Sequence, residues 1–368
     1  MESENAFKNL INKQVVELMG SEVASVYPKF NKKEFNKLEK NLSALELKAR
    51  VLLLTKGLRE NLPSEYPEAL KILVKVIERE KLTGFQLWPI SEYISQFGLD
   101  HFDASMKAMY VLTQRFTSEF AVRPYILKNH IRVIKYFSKW ATDKNVHIRR
   151  WVSEGSRPIL PWGGNIPLFI MDPTHTLLLL DKLKFDEELY VRKSVANHLN
   201  DISKNHPSVV VDVLKMWQKS CPPSHQPKLD WIKKQALRTL IKKGDKKALE
   251  LMGVTGEAKI TISEVTLNQK KYKLNDKLEF QFEVTSTSKT TQKLVIDYAI
   301  DFIKSSGKKS AKVFKLKSFD LKGKESLSIR KAHSLKPITT MTYYKGVHHL
   351  YIQVNGKRIA EVNWPFDI

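Results

Sequence analysis

An α-helical solenoid followed by a β-sandwich is the architecture this sequence predicts, and three observations carry it. Apolar residues keep helical spacing through most of the first 250 positions. Inside that part, one short segment recurs at intervals of 42, 43 and 41 residues. Beyond Gly256 the hydrophobic period falls to two, Thr and Ser become frequent, and helix signals vanish. A chain of 368 residues is also long for one core. The expected division is a HEAT-like repeat domain over residues 1–253 and an immunoglobulin-like sandwich over residues 254–368.

The elements follow in order. Phe7, Leu10, Ile11, Val15 and Leu18 make the first helical stripe, and Tyr27-Pro28 ends it. Asn31 is placed to cap a short helix through Leu42. Ser43, with Glu46 three residues on, reads as a capping box for a helix carrying Leu47, Val51, Leu54 and Leu58. Pro63 and Pro67 punctuate; Leu70, Leu73, Val74 and Ile77 carry the next stripe. After Thr83-Gly84, a short helix opens at Trp88-Pro89 and closes near Phe97-Gly98.

The repeat then appears. Met106-Lys107, Ile148-Arg149, Val191-Arg192 and Ile232-Lys233 each open an amphipathic helix with an apolar residue followed by a basic one. A period of about 40 residues filled by helix pairs is the signature of stacked HEAT-like repeats. Basic residues at one place in successive repeats form a stripe that can follow a polyanion. They can equally serve to pair one repeat with the next.

In the second part, Lys259–Ile262, Leu278–Val284, Leu294–Ile300, Ala311–Leu316, Ser326–Ile329, His348–Val354 and Arg358–Val362 read as strands. Seven short strands over about 110 residues predict an immunoglobulin-like sandwich. Asn355-Gly356 is the hairpin turn between the last two.

Residues 145–165 stand apart. A helix opens after Asn145 and stops near Gly155, and Pro158, Pro161, Gly163 and Gly164 forbid its continuation. Arg149, Arg150 and Arg157 sit there beside Trp151, Trp162 and a lone acid, Glu154. Such a cluster suits a surface that grips an anion and faces a cationic ring. It also describes an ordinary packed helix end.

Composition narrows the function. The formal charge is +23, of which residues 254–368 hold +10, from 21 Lys and Arg against 11 Asp and Glu. Both parts therefore suit one polyanionic partner. A single cysteine, Cys221, excludes an internal disulfide and zinc sites built on paired cysteines, and favours a reducing, cytoplasmic location. His348-His349 are adjacent and point to opposite faces of a strand, so they do not share a metal. No apolar leader and no span long enough for a bilayer are expected. There is no phosphate-binding loop and no nucleophile–histidine arrangement.

Three acids remain as chemical candidates: Glu119, Glu154 and Asp201, near helix ends in neighbouring repeats. Each alone reads as a surface or capping acid. Together on a basic wall they are unusual, because carboxylates repel phosphates. A cationic base or a cationic transition state supplies a reason for them.

The stretch from Val146 to Pro207 carries a resemblance. Its Trp-Val-Ser-Glu-Gly-Ser-Arg-Pro run over residues 151–158 and its Val191–Asn200 helix resemble the bacterial DNA alkylation-repair glycosylases with HEAT-like repeats. The two-part architecture is similar to the AlkC type with a C-terminal immunoglobulin-like domain. The resemblance implies hydrolysis of the N-glycosidic bond of cationic alkylated bases in duplex DNA, 3-methyladenine and also 3-methylcytosine, with no metal and no cofactor. It implies Glu119, Glu154 and Asp201 as the acids of the site, Trp162 as its aromatic member, and Arg150 as a basic neighbour. Arg149, Arg150 and Arg157, with Arg192 and Lys193 of the next repeat, are then expected on phosphates. In the sandwich the loop Thr339–His348, with Tyr343, Tyr344, Lys345 and His348, is expected at the minor groove, or else packed on the sandwich edge. A monomeric bacterial enzyme, acting near the nucleoid without an obligate protein partner, follows. The rival readings are a non-catalytic HEAT protein recognising DNA structure and a peptide-binding scaffold.

Overall fold

Asn12 opens the first helix, Lys13–Val26, by accepting a hydrogen bond from the Val15 amide at 3.1 Å, and Val15, Val16, Met19 and Val23 turn inward. The computed structural model of the chain describes residues 7–338 and 341–367. Asn31 caps the short helix Lys32–Asn36 as expected. Ser43 does not cap its neighbour. The helix Leu47–Asn61 begins at Glu46 without a side-chain cap. Its start is held instead by Arg50, whose guanidinium donates to the carbonyls of Leu45, Lys8 and Ile11 at 2.8–2.9 Å. A capping box does form at Thr83 and Gln86, ahead of the helix Trp88–Phe97.

The recurring segments fall in the helices Phe102–Thr113, Val146–Gly155, Leu189–Ile202 and Gln226–Ala236. Val146–Gly155 packs against Phe102–Thr113 on one side and Leu189–Ile202 on the other, while Arg123–Trp140 and Thr174–Leu183 back it. Trp151 is fully buried there, stacked on Trp140 and edge-on to Phe137. This is the HEAT-like ladder of the sequence reading. Among the described residues no helix is long and apolar enough to cross a membrane.

The ladder also explains the basic residue of the repeat. Arg149 donates to the carbonyls of Asp143 and Lys144, six and five residues back, and pairs with Asp186 through two nitrogens at 2.6 and 3.0 Å. One repeat on, Arg192 donates to the carbonyls of Asp186 and Glu187, again six and five residues back. Both arginines tie a helix start to the preceding turn. Of the two roles open to this position, pairing within the protein occupies Arg149 and Arg192.

The chain passes from helix to strand between Leu251 and Ile260. Its compact units divide differently: Met1–His206 with Cys221–Gln235, and Pro207–Ser220 with Ala236–Ile368. The second unit holds the sandwich. Strands β1 (Ile260–Ile262), β2 (Thr266–Leu267), β3 (Lys277–Ser286), β4 (Gln292–Ile303), β5 (Lys309–Leu321), β6 (Ser326–Ser334), β7 (Gly346–Val354) and β8 (Lys357–Phe366) pair antiparallel in two sheets. In one sheet β3 has β6 on one edge and β1 and β2 on the other. The second runs β5-β4-β7-β8. Leu278, Phe280, Phe282 and Val284 of β3 meet Leu294, Ile296, Tyr298 and Ile300 of β4 in the core. The outer face of β4 is buried as well, because Val295 packs with Leu249 and Val254 of the same unit. The expected Asn355-Gly356 turn is present, with both residues at positive φ. A Cβ on Gly356 would lie 1.9 Å from the Gly244 Cα, so this position requires glycine.

Candidate active site

Asn145 accepts from the His147 amide at 2.8 Å and fixes where the Val146–Gly155 helix starts. That start sets Arg150 and Glu154 one turn apart, with Arg157 just beyond the last turn. Glu119 arrives from the turn after Phe102–Thr113, and Asp201 from the last turn of Leu189–Ile202. The three acids expected from the sequence are thus gathered at one place, and all three are buried.

They are joined by arginines. Arg150 donates to Glu119 Oε2 at 2.5 Å and lies 3.4 Å from Glu154 Oε1. Arg157 donates to Glu154 Oε1 at 2.7 Å and to Asp201 Oδ2 at 2.8 Å. Lys204 closes the row on Asp201 Oδ1 at 2.9 Å. Charges therefore alternate along Glu119, Arg150, Glu154, Arg157, Asp201 and Lys204. Thr117 adds a hydroxyl to Glu119 at 2.9 Å, and the Tyr190 ring lies 5.0 Å under the Arg150 guanidinium.

Glu154 is the centre of the row. Burial works against its charged form. Arg150 and Arg157, with a hydroxyl from Ser194 on Oε2 at 2.6 Å, outweigh that penalty and hold its carboxyl below the ordinary value. Burial likewise opposes charge on Arg150 and Arg157, and their carboxylates restore it. Arg150 and Arg157, expected on phosphates, are thus engaged with the acids of the site.

A second layer was not legible. Arg123 is buried, donating to the carbonyls of Gly164 at 2.6 Å and Arg157 at 2.9 Å, while its Nη2 finds no partner among the described residues. Burial first, then neighbouring Arg157, lowers its pKa to about 10. Its contacts staple the loop that carries Trp162. Ser194 also went unremarked, although it lies seven residues before Asp201, two turns along one helix face.

Trp162 is 72% exposed and holds φ at +63°. Lys193 is exposed. In the sandwich the expected DNA loop behaves otherwise. Tyr343 is buried against Phe302 and Phe366, and His348 lies inside β7, stacked on Trp364. These two are core residues, because an alternating strand and its lead-in turn one side inward. Tyr344 is half-buried and Lys345 exposed, pairing with Asp367 at 3.1 Å. Thr339 and Thr340 lie outside the described residues.

His198 sits beneath the site, fully buried. Its Nδ1–H donates to the Ser153 carbonyl at 3.0 Å, and burial depresses its pKa to about 3. An unfolded chain takes this proton near pH 6.5. The stability His198 contributes is therefore present above pH 6.5 and is lost as pH falls toward 3. Melting temperatures from pH 7.5 to 5 are expected to decline less steeply for His198→Gln than for the wild type. Parallel declines would remove His198 as the cause.

A family model described as the C-terminal Ig-like domain of the uncharacterised protein YhaZ matches residues 261–367. Over 353 residues the chain is 42% identical to the uncharacterised protein YhaZ of Bacillus subtilis (strain 168), spanning 95% of this chain and 96% of that one. It superposes with a TM-score of 0.92 and 36% identity on the Pseudomonas fluorescens alkylpurine DNA glycosylase AlkC bound to DNA containing an abasic site analog, covering 99% of this chain and 100% of the other.

Proposed function

Because the chain belongs to the AlkC-type family of HEAT-like repeat proteins with a C-terminal immunoglobulin-like domain, we propose that it is a DNA glycosylase for alkylated bases. The observation that carries the reading is the row of three buried carboxylates bridged by Arg150 and Arg157. A binding surface for phosphates gains nothing from acids; a site that meets positive charge does.

The proposed substrates are 3-methyladenine and 3-methylcytosine in duplex DNA. Such a base is already cationic and leaves without prior protonation. As the glycosidic bond lengthens, positive charge grows on the sugar. A fixed carboxylate facing the anomeric carbon stabilises that charge without reorganising. We place Glu154 and Asp201 at the sugar, with Glu119 completing the cluster and one of these carboxylates taking the proton of the attacking water. Arg150 and Arg157 keep the acids ionised and aimed. Trp162 offers a π face to the cation.

The duplex is gripped by the distributed positive charge, with the sandwich as a clamp. Lys193, Tyr344 and Lys345 are the surface residues retained for phosphate or groove contact. Arg149, Arg192, Tyr343 and His348 are assigned to structure. A concave repeat surface bends its DNA and reaches the lesion from the sugar side.

The test is base release from methylated duplex, in the presence of a chelator and resolved by base identity. Release of 3-methyladenine, with 3-methylcytosine as the second product and no strand cleavage, is expected. Salt-sensitive binding to the same duplex without release would reassign the protein to recognition of DNA structure.

A further inference from the structure

Behind the row of charges lies a layer of uncharged groups. On the helix Leu189–Ile202, Ser194, His198 and Asp201 follow one another at helical spacing and share one face. That helix packs against Val146–Gly155. From this face Asp201 accepts from Arg157, the His198 Nδ1–H donates to the Ser153 carbonyl, and the Ser194 hydroxyl donates to Glu154.

Ser194 stands between two oxygens. Its Oγ lies 2.6 Å from Glu154 Oε2 and 2.9 Å from Ser153 Oγ. A hydroxyl carries one proton, and an ionised carboxylate carries none. The Ser194 proton is therefore given to Glu154, and Ser194 accepts from Ser153. Both serines are buried, so bulk solvent does not compete for either proton. The pair runs in one direction, from Ser153 through Ser194 to Glu154. Accepting from Ser153 polarises the Ser194 hydroxyl and strengthens the bond it donates.

The two oxygens of Glu154 are thus held differently. Oε1 faces both arginines, Arg157 at 2.7 Å and Arg150 at 3.4 Å. Their long side chains supply charge but can follow a carboxylate that turns. Oε2 takes Ser194, whose hydroxyl is joined to a packed helix through one rotatable side-chain bond. The arginines bring charge, and the serine brings position.

We infer that Ser194, backed by Ser153, is a positioning residue of the reaction, which fixes the Glu154 carboxylate in the orientation that meets the sugar. The inference rests on the glycosylase reading and deepens it. A carboxylate stabilises the growing charge best when it has no need to reorganise, and a displacement of about 1 Å can cost about a hundredfold in rate. Being buried, Ser194 acts through Glu154 and not on the DNA.

The experiment compares wild type, Ser194→Ala, Ser194→Thr, Ser153→Ala and the double variant Ser153→Ala with Ser194→Ala. Single-turnover excision of 3-methyladenine is followed across the acid limb of the rate, with Kd for undamaged duplex measured for each. Ser194→Ala is expected to slow excision about 10- to 100-fold, with the Kd unchanged within about twofold. Its acid limb should lie at higher pH than that of the wild type, because a donor that favours the charged carboxylate is gone. Ser194→Thr keeps the hydroxyl on the same carbon and should recover most of the rate. Ser153→Ala leaves Ser194 its own proton, so it should cost less, about threefold, and add nothing once Ser194 is alanine. A wild-type rate in Ser194→Ala, an unmoved acid limb, equal loss of undamaged-duplex affinity, or a Ser153→Ala factor that persists without Ser194 would each overturn the assignment. So would equal slowing by a Ser194→Thr variant that melts like wild type. Where the extra methyl group unsettles the packing, the acid limb of Ser194→Ala decides, since lost packing alone does not move it. Failure of the wild type itself to release base is a separate result; it removes the glycosylase reading and this assignment with it.

Discussion

Replacing Glu154 with Gln is expected to slow base release by about 10²- to 10³-fold, while the Kd for undamaged duplex stays within a few-fold of wild type. The amide keeps the size of the carboxylate; its oxygen still accepts from Arg157 at the Oε1 position, while its –NH2, at the Oε2 position, donates to the Ser194 hydroxyl instead of accepting from it. It cannot carry the charge. The loss therefore falls on the transition state, where the sugar becomes positive, and spares the ground-state grip on phosphates. A matching loss of rate and affinity would remove Glu154 from the chemistry and return it to structure. The pH profile supplies a second check. Arg150 and Arg157 hold the Glu154 carboxyl below its ordinary value, so its acid limb lies under the usual carboxylate range. Wild-type excision should thus be insensitive to pH from about 6 to 8 on account of this group. A rise in rate centred near neutrality would mean that some other residue sets the acid–base requirement.

How much of this was legible in the sequence depends on what each residue has to distinguish. Periodicity reported the ladder well, because the recurrence of Ile148 and Val191 records burial against the same neighbours in successive repeats. The strands were legible from alternation, except Thr266–Leu267, which is too short to alternate. Strand β4 hid its second buried face, since only its packing against Leu249 and Val254 requires Val295 to be apolar. Charge was harder. A basic residue at the second position of a repeat helix reads alike whether it faces a phosphate or the carbonyls five and six residues back; Arg149 and Arg192 do the latter. The acids Glu119, Glu154 and Asp201 were found from their recurrence near helix ends and the family resemblance. The arginines that join them were noticed as cations, while their pairing needed three dimensions. Ser194 and Arg123 gave no signal, because a helical serine and an arginine before proline are commonplace until the chain brings each against the site. Tyr343 and His348 misled because a loop rich in aromatics looks the same whether its rings face out or in.

The most severe structural effect is expected from Arg157→Ala. Arg157 is almost wholly buried and bridges two buried carboxylates, Glu154 at 2.7 Å and Asp201 at 2.8 Å. Its removal takes one counter-charge from each, leaving Glu154 to Arg150 and Asp201 to the more exposed Lys204, and breaking a buried pair by removing one partner costs about 3–5 kcal/mol. At roughly 2–4 °C per kcal/mol for a domain of this size, the first thermal transition at pH 7 should fall by on the order of 10 °C. Two comparisons separate this electrostatic cause from lost packing. First, Glu154→Gln together with Arg157→Ala should melt higher than Arg157→Ala alone, because an amide needs no counter-charge. Second, without Arg157 the Glu154 carboxyl loses one of the two charges that oppose the penalty of burial, so its folded pKa moves up from its lowered position. Wild type, with the lower folded pKa, loses more stability on acidification than the variant does. The deficit of Arg157→Ala relative to wild type should accordingly shrink as pH falls from 7 into the carboxylate range. Arg157→Lys should recover only part of the loss, since one ammonium cannot reproduce a planar fork spanning two carboxylates. A deficit that is unchanged by pH and by Glu154→Gln would locate the cost in packing. The alternating row would then be a by-product of close quarters, and the acids would need another source for the charge they keep.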